Sequence, residues 1–122
     1  DLLSLTEKTD FISTRKGILR PETLSMEERN QLIKEHPEYG NIICRCEGIS
    51  EGEIVEAIHR VPGARSLDGV KRRVRAGMGR CQGGYCQMRI EQMIEQELGK
   101  KETEVQYERE GSNVLFGKVR EV

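Results

Sequence analysis

Four cysteines in two close pairs are the residues of this chain best suited to chemistry. Cys44 and Cys46 form a C-x-C pair, Cys81 and Cys86 form a C-x4-C pair, and residues 47–80 separate the two pairs. Each pair can supply two thiolates from one loop, and folding can then bring both loops to one metal centre. The pattern therefore predicts a site with four thiolate ligands.

The spacing alone leaves three chemistries open for these cysteines. Structural zinc sites usually use C-x2–4-C pairs, which fits the second pair but not the first. Iron–sulfur clusters also take four thiolates, and we favour one here over zinc. A disulfide framework is the third alternative. It is disfavoured because the chain opens at Asp1 without a basic-then-apolar signal segment, which favours a reducing, cytoplasmic compartment. An opening without Met is also typical of a processed chain or a fragment, and we favour a fragment.

The residues around both pairs suit an anionic group. Cys46 and Cys86 each lie close to the start of a predicted helix, where unpaired N–H groups and the positive end of the helix dipole face the ligands. Four glycines accompany the second pair: Gly77, Gly79, Gly83 and Gly84. Without a Cβ atom, they let backbone amides approach the sulfurs. Arg45 and Arg80 adjoin cysteines and can offset negative charge.

Composition excludes several classes of function. The chain has 122 residues, a formal net charge of −1, and 35% hydrophobic against 34% charged residues. A near-neutral chain poor in aromatic residues is not typical of a nucleic-acid binder. No apolar run approaches the roughly 18 residues that a transmembrane helix needs. The core is lean, so a bound metal would supply part of the stability.

Helix signals flank the cysteine pairs. Ser25 with Glu28 forms a capping-box pattern that opens a helix ending near residue 36, and residues 41–43 read as a short strand. Ser50 with Glu53 opens a second helix to about residue 60. Ser66 begins a third that stops at Gly77, and a fourth covers about 86–98.

These signals predict a mainly α fold with cluster-binding loops. We divide the chain into an N-terminal lead-in and helix at 1–40, a helical [2Fe–2S]-binding unit at 41–99, and an extension at 100–122. Alternating residues at 104–109, a turn at 110–113, and apolar residues at 114–116 and 118–122 predict that the extension is a C-terminal β-hairpin.

Residues 42–98 resemble the [2Fe–2S] domain named after bacterioferritin-associated ferredoxin. The matching segments are 43–47 around the first cysteine pair, the helix at 51–58, and 79–86 around the second pair. The resemblance implies that Cys44, Cys46, Cys81 and Cys86 ligate one [2Fe–2S] cluster within a compact helical fold. The stand-alone ferredoxin closes with C-x2-C, so the second ligand loop of this chain must differ.

Segments 37–46, 69–73 and 77–83 also look like the C-terminal region of FAD-dependent oxidoreductases of the glycerol-3-phosphate dehydrogenase kind. The resemblance implies a flavin domain elsewhere in the parent protein, since this chain holds no G-x-G-x-x-G fingerprint. The implied function is electron relay from FAD to an unknown acceptor, with no catalysis by this chain alone. A zinc-stabilised interaction module, and a cluster used for assembly or sensing, are the alternatives.

Two surfaces are candidates for contact with a flavoprotein domain or subunit. The basic stretch Lys71–Arg75 is either a solvated helix face or a docking surface for an acidic flavoprotein. Apolar residues in segments 1–25 and 103–122 exceed what the small helical unit needs. We expect part of that apolar surface, Phe116 included, to pack on the flavin domain.

Overall fold

The computed structural model describes residues 3–120, in which helices dominate. The four α-helices are α1 (Met26–Glu35), α2 (Glu51–His59), α3 (Leu67–Val74) and α4 (Gln87–Leu98). Strands β1 (Ile42–Cys44) and β2 (Ile49–Ser50) pair in antiparallel fashion between α1 and α2. The predicted mainly α character is confirmed. No helix within residues 3–120 is long and apolar enough to cross a membrane.

Side-chain caps fix the starts of the first two helices, as the sequence predicts. The Ser25 amide donates to the Glu28 carboxylate over 2.9 Å, and the Ser25 hydroxyl accepts from the Glu28 amide. Ser50 and Glu53 make the same reciprocal pair, with the Ser50 amide 2.8 Å from Glu53 Oε2. This second capping box is buried, so its hydrogen bonds satisfy a carboxylate inside the core.

Helices α2, α3 and α4 pack together around one core. Their inward faces supply Ile54, Ile58, Val70, Ile90 and Ile94, which are 0–3% exposed. Cys44 and Cys86 belong to the same cluster of buried residues. The cysteine loops are therefore attached directly to the best-packed part of the molecule.

Helix α3 is shorter than predicted. It ends at Val74 because Arg75 adopts a left-handed conformation with φ of 66°, three residues before Gly77 was expected to stop it. Left-handed residues commonly end helices, but glycine usually fills the position. The later glycine was therefore the misleading signal.

The predicted C-terminal β-hairpin is wrong as a pair of strands. Within the described residues, the extension makes one antiparallel bridge, between Gln106 and Asn113. Its backbone instead serves α3: the carbonyls of Gln106 and Tyr107 accept hydrogen bonds from the amides of Leu67 and Asp68, at 3.0 and 2.8 Å. The first-turn amides of a helix lack partners within the helix, so this contact satisfies two of them. Residues 121–122 of the predicted hairpin lie outside the described part of the chain.

Candidate metal centre

The structure gathers all four cysteines around one cavity. The cavity measures about 600 Å³ and is lined by Cys44, Cys46, Cys81 and Cys86 with Ile43, Arg45 and Tyr85. All four cysteines are free thiols, and the Sγ atoms of Cys46 and Cys81 lie 3.4 Å apart. Sequence reasoning paired the cysteines by loop, and the fold adds closeness between the loops.

The two loops arrange the cysteines as an inner and an outer pair. Cys44 ends β1 and Cys86 caps α4, and these two side chains are 1% and 2% exposed. Cys46 lies in the turn between β1 and β2 and is exposed, while Cys81 is half-buried. One side of a bound group would therefore face the protein core and the other would face solvent.

Gly79 lets the two loops approach each other closely. A Cβ atom at position 79 would overlap the Cβ atom of Cys46 and lie 3.3 Å from Glu47 Oε1. Carbon atoms normally pack at about 3.5–4.0 Å, so no other residue fits without separating the loops. The Cys46–Cys81 contact therefore depends on a glycine at this position.

Hydrogen bonding and burial act oppositely on two of the thiols. The side-chain hydrogen bond with Cys46 lowers the pKa of Cys81, and the backbone amides of Tyr85, Gly83 and Gly84 lower it further. Burial, followed by the nearby Cys44, raises the pKa of Cys86 to about 11. The second loop thus supplies amide donors that favour a thiolate at its outer cysteine. The expectation that glycines allow amides near sulfur holds at Cys81.

The charged neighbours of the cysteines differ in part from those expected. Arg45 lines the cavity, but Arg80 is exposed and does not. Arg75 forms an ion pair of 2.9 Å with Glu47, which joins the end of α3 to the first cysteine loop. Sequence reasoning missed this contact because the left-handed turn at Arg75 aims the side chain there. It also missed Tyr85, which is 91% exposed beside the cavity.

The histidines lie away from the cysteines. His36 pairs with Glu38 over 3.4 Å, and His59 pairs with Glu97. Among residues 3–120, no group of three or more His, Cys, Asp or Glu side chains is placed closely enough to hold a single metal ion. The four thiols instead surround an open volume.

The residues present fit a [2Fe–2S] cluster. Four thiolate donors are the usual ligand set for such a cluster, and amide donors toward sulfur are its usual second shell of contacts. Gly79 leaves the space between the loops that a side chain would fill. The chemistry of the donor set and the shape of the cavity therefore agree.

Comparison with known proteins supports this interpretation. Residues 42–96 match the model of the BFD-like [2Fe-2S] binding domain. No solved structure is significantly similar to the chain.

Three relatives show where such sequences occur. The chain is 51% identical over 113 residues to a glycerol 3-phosphate dehydrogenase of Caloramator mitchellensis, covering 93% of this chain and 24% of the relative. It is 45% identical over 53 residues to the HcnB component of the hydrogen cyanide synthase of Pseudomonas aeruginosa, which is 40% of this chain and 11% of that protein. Identity to one of the subunits that form the anaerobic glycerol-3-phosphate dehydrogenase of Escherichia coli is 34% over 55 residues, 45% of this chain and 10% of that protein.

The chain thus spans about a quarter or less of the length of these curated relatives. The family match covers both cysteine pairs and helices α2, α3 and most of α4. Residues 42–96 of this chain therefore belong to the BFD-like [2Fe-2S] binding domain family.

Proposed function

We propose that Cys44, Cys46, Cys81 and Cys86 hold one [2Fe–2S] cluster, and that this chain relays electrons from a flavin site to an acceptor. The observation that carries the proposal is the convergence of the four thiols on one cavity. The family match and the dehydrogenase relatives support the same role. Such a cluster, when bound, takes up and releases electrons one at a time.

The protein's own residues would perform two tasks. Buried Cys44 and Cys86 attach the inner side of the site to the helical core and keep water from it. Exposed Cys46 and half-buried Cys81 leave the outer side accessible for electron exchange. Amides of the second loop donate toward Cys81, and such hydrogen bonds tune the reduction potential of a cluster.

The flavin partner is inferred from the relatives. Two of them carry the name of glycerol-3-phosphate dehydrogenase, and each is several times longer than the match. We propose that this chain serves an FAD-containing dehydrogenase of that kind. In this proposal residues 41–99 hold the cluster, while 1–40 and 100–122 adapt it to the flavoprotein.

Apolar side chains on the flanks are the proposed contact with that flavoprotein. The exposed ones in the described residues are Leu3, Leu5, Phe11, Ile12, Phe116 and Val119. Leu2 lies outside the described residues. Val105 contributes nothing to this surface because it is fully buried in the helical core.

Metal analysis of anaerobically purified protein tests the cluster assignment. We expect a red-brown protein with about two iron and two sulfide per chain. A colourless protein with one tightly bound zinc per chain would instead establish the zinc-stabilised alternative and refute electron transfer.

A charge at Phe116 tests the docking surface in the full-length protein. Phe116→Glu should slow electron transfer from flavin to cluster in rapid-mixing measurements and leave the visible spectrum of the cluster intact, because the side chain is 85% exposed. Phe116→Leu is the matched control and should transfer electrons at the normal rate. Loss of the cluster in Phe116→Glu would place the side chain in the core, and normal transfer would refute docking through this residue.

A further inference from the structure

A second cavity lies apart from the cysteines, and its walls are basic. It measures about 460 Å³ and is lined by Arg15, Lys16, Arg60, Arg72 and Arg73, together with Gly17 and Pro62. It shares no lining residue with the cysteine cavity. The segment preceding α1, the end of α2 and the last turn of α3 contribute its cations.

Neutral carbonyl groups, rather than carboxylates, hold three of these guanidinium groups. Arg15 Nη2 donates to the Val61 carbonyl over 2.7 Å, and Arg60 Nη2 donates to the Lys16 carbonyl over 2.9 Å. Arg73 donates to the carbonyls of Pro62 and Gly69, at 3.2 and 2.8 Å. These bonds fix the side chains without cancelling their charge.

Most of the positive charge at the cavity is consequently uncompensated. Among the described residues, Arg15, Lys16, Arg60 and Arg73 form no ion pair, whereas Arg72 pairs with Asp68 and Glu108. The Nε–H group of Arg60 is buried and has no hydrogen-bond partner within residues 3–120. A buried donor without a partner costs free energy, which an anionic acceptor would recover.

We propose that this cavity binds a phosphate group, either free or carried by a small phosphorylated molecule. Guanidinium groups with donors to spare suit the tetrahedral oxygens of phosphate, and fixed positions reduce the entropy lost on binding. A volume of about 460 Å³ lies within the range of small-molecule sites. The proposal rests on this cavity alone and does not depend on the cluster or on the flavin partner.

A titration followed by amide NMR signals tests the proposal. Inorganic phosphate and glycerol 3-phosphate are added to the chain at constant ionic strength, because screening alone weakens contacts between charges. We expect saturable shifts of the amides at 15–17, 60–62 and 72–73, with a dissociation constant of about 1 mM or lower. Tighter binding of glycerol 3-phosphate identifies a phosphorylated molecule as the ligand, and equal binding identifies free phosphate.

Three variants separate a defined site from general charge attraction. Arg73→Gln should weaken binding by roughly tenfold or more, since it removes a guanidinium fixed at the cavity. Lys16→Gln should weaken it by roughly threefold and cannot disturb the fold through lost contacts, because the Lys16 side chain makes no hydrogen bond in the described structure. Arg109→Gln removes an exposed charge outside the cavity and should leave binding unchanged.

Two results would overturn the proposal. One is the absence of saturable shifts at concentrations up to about 20 mM of either phosphate compound, which leaves the cavity to a different occupant such as an acidic protein surface. The other is an equal loss of affinity in Lys16→Gln and Arg109→Gln, which indicates attraction to overall charge. If Arg73→Gln unfolds, as its spectrum would reveal, Lys16→Gln against Arg109→Gln decides the question.

Discussion

Replacing Gly79 by alanine should separate the two cysteine loops. The added Cβ would overlap that of Cys46, and it would lie 3.4 Å from the Cys46 carbonyl carbon and 3.3 Å from Glu47 Oε1. Relief requires a loop movement of roughly 1 Å, because carbon atoms pack at about 3.5–4.0 Å. The movement would also pull Glu47 from its ion pair with Arg75. Overpacking of this kind costs about 1–3 kcal/mol.

The expected result is a loss of both cluster and stability. Gly79→Ala should retain less than roughly half of the iron and sulfide of the wild type, since ligands must be held to within about 0.5 Å. Its melting temperature should fall by roughly 5–15 °C. Iron and sulfide assays with thermal unfolding under anaerobic conditions measure both.

Gly48→Ala is the matched control in the first loop. Gly48 has a φ of 67°, and nothing lies within 4 Å of an added Cβ. Alanine there costs about 1–2 kcal/mol of backbone strain but intrudes on no neighbour, so the cluster content should stay normal. Full iron content in Gly79→Ala would refute the close-approach argument, and so would an equal iron loss in Gly48→Ala.

Three further predictions follow from burial. Serine at any one of the four cysteines, buried Cys44 included, should lower both iron content and melting temperature, because metal binding contributes to folding; unchanged values would show that the residue is not a ligand. Glu91 is 1% exposed and both of its carboxylate oxygens lack hydrogen bonds in the described structure, so Glu91→Met should stabilise the protein by about 1–3 kcal/mol. Burial raises the pKa of Glu91 above its ordinary 4.5. The wild type therefore loses stability as pH rises above about 4.5, and the advantage of Glu91→Met in melting temperature should be larger at about pH 8 than at about pH 5; a pH-independent difference would contradict this. Val105→Ala should cost about 1.5–3 kcal/mol in thermal or denaturant unfolding, whereas Phe116→Ala should change stability by less than about 0.5 kcal/mol. Equal effects of these two substitutions would refute the placement of Val105 in the core.

The features predictable from sequence are those set by local chemistry. Ser25 with Glu28 and Ser50 with Glu53 form their capping boxes where the pattern places them, because a cap involves only residues three apart. Leu67, Val70 and Val74 share the buried face of α3 for the same local reason. Cys44, Cys46, Cys81 and Cys86 meet at one cavity as expected, although their spacing alone did not separate iron–sulfur from zinc chemistry.

The features that escaped prediction depend on contacts between distant residues. Strand β2 at Ile49–Ser50 has only two residues, and it exists because β1 pairs with it before the buried capping box. The extension alternates like a strand at Val105 and Tyr107, but its carbonyls bind the first turn of α3 rather than a partner strand. No local pattern shows that a helix start far back along the chain lacks partners for its amides.

The contact between the extension and α3 has a consequence for the order of events during synthesis. Gln106 leaves the ribosome 39 residues after Leu67, by which time both cysteine loops have already emerged. Until Val105 reaches the core, the start of α3 has unsatisfied amides and the helix bundle is incomplete. The cysteine loops therefore wait in a partly formed protein, and we expect stable cluster insertion only once residues 105–107 have been made. Nascent chains stalled after residue 99 should exchange the amide hydrogens of Leu67 and Asp68 rapidly, and those stalled well beyond residue 107 should protect them.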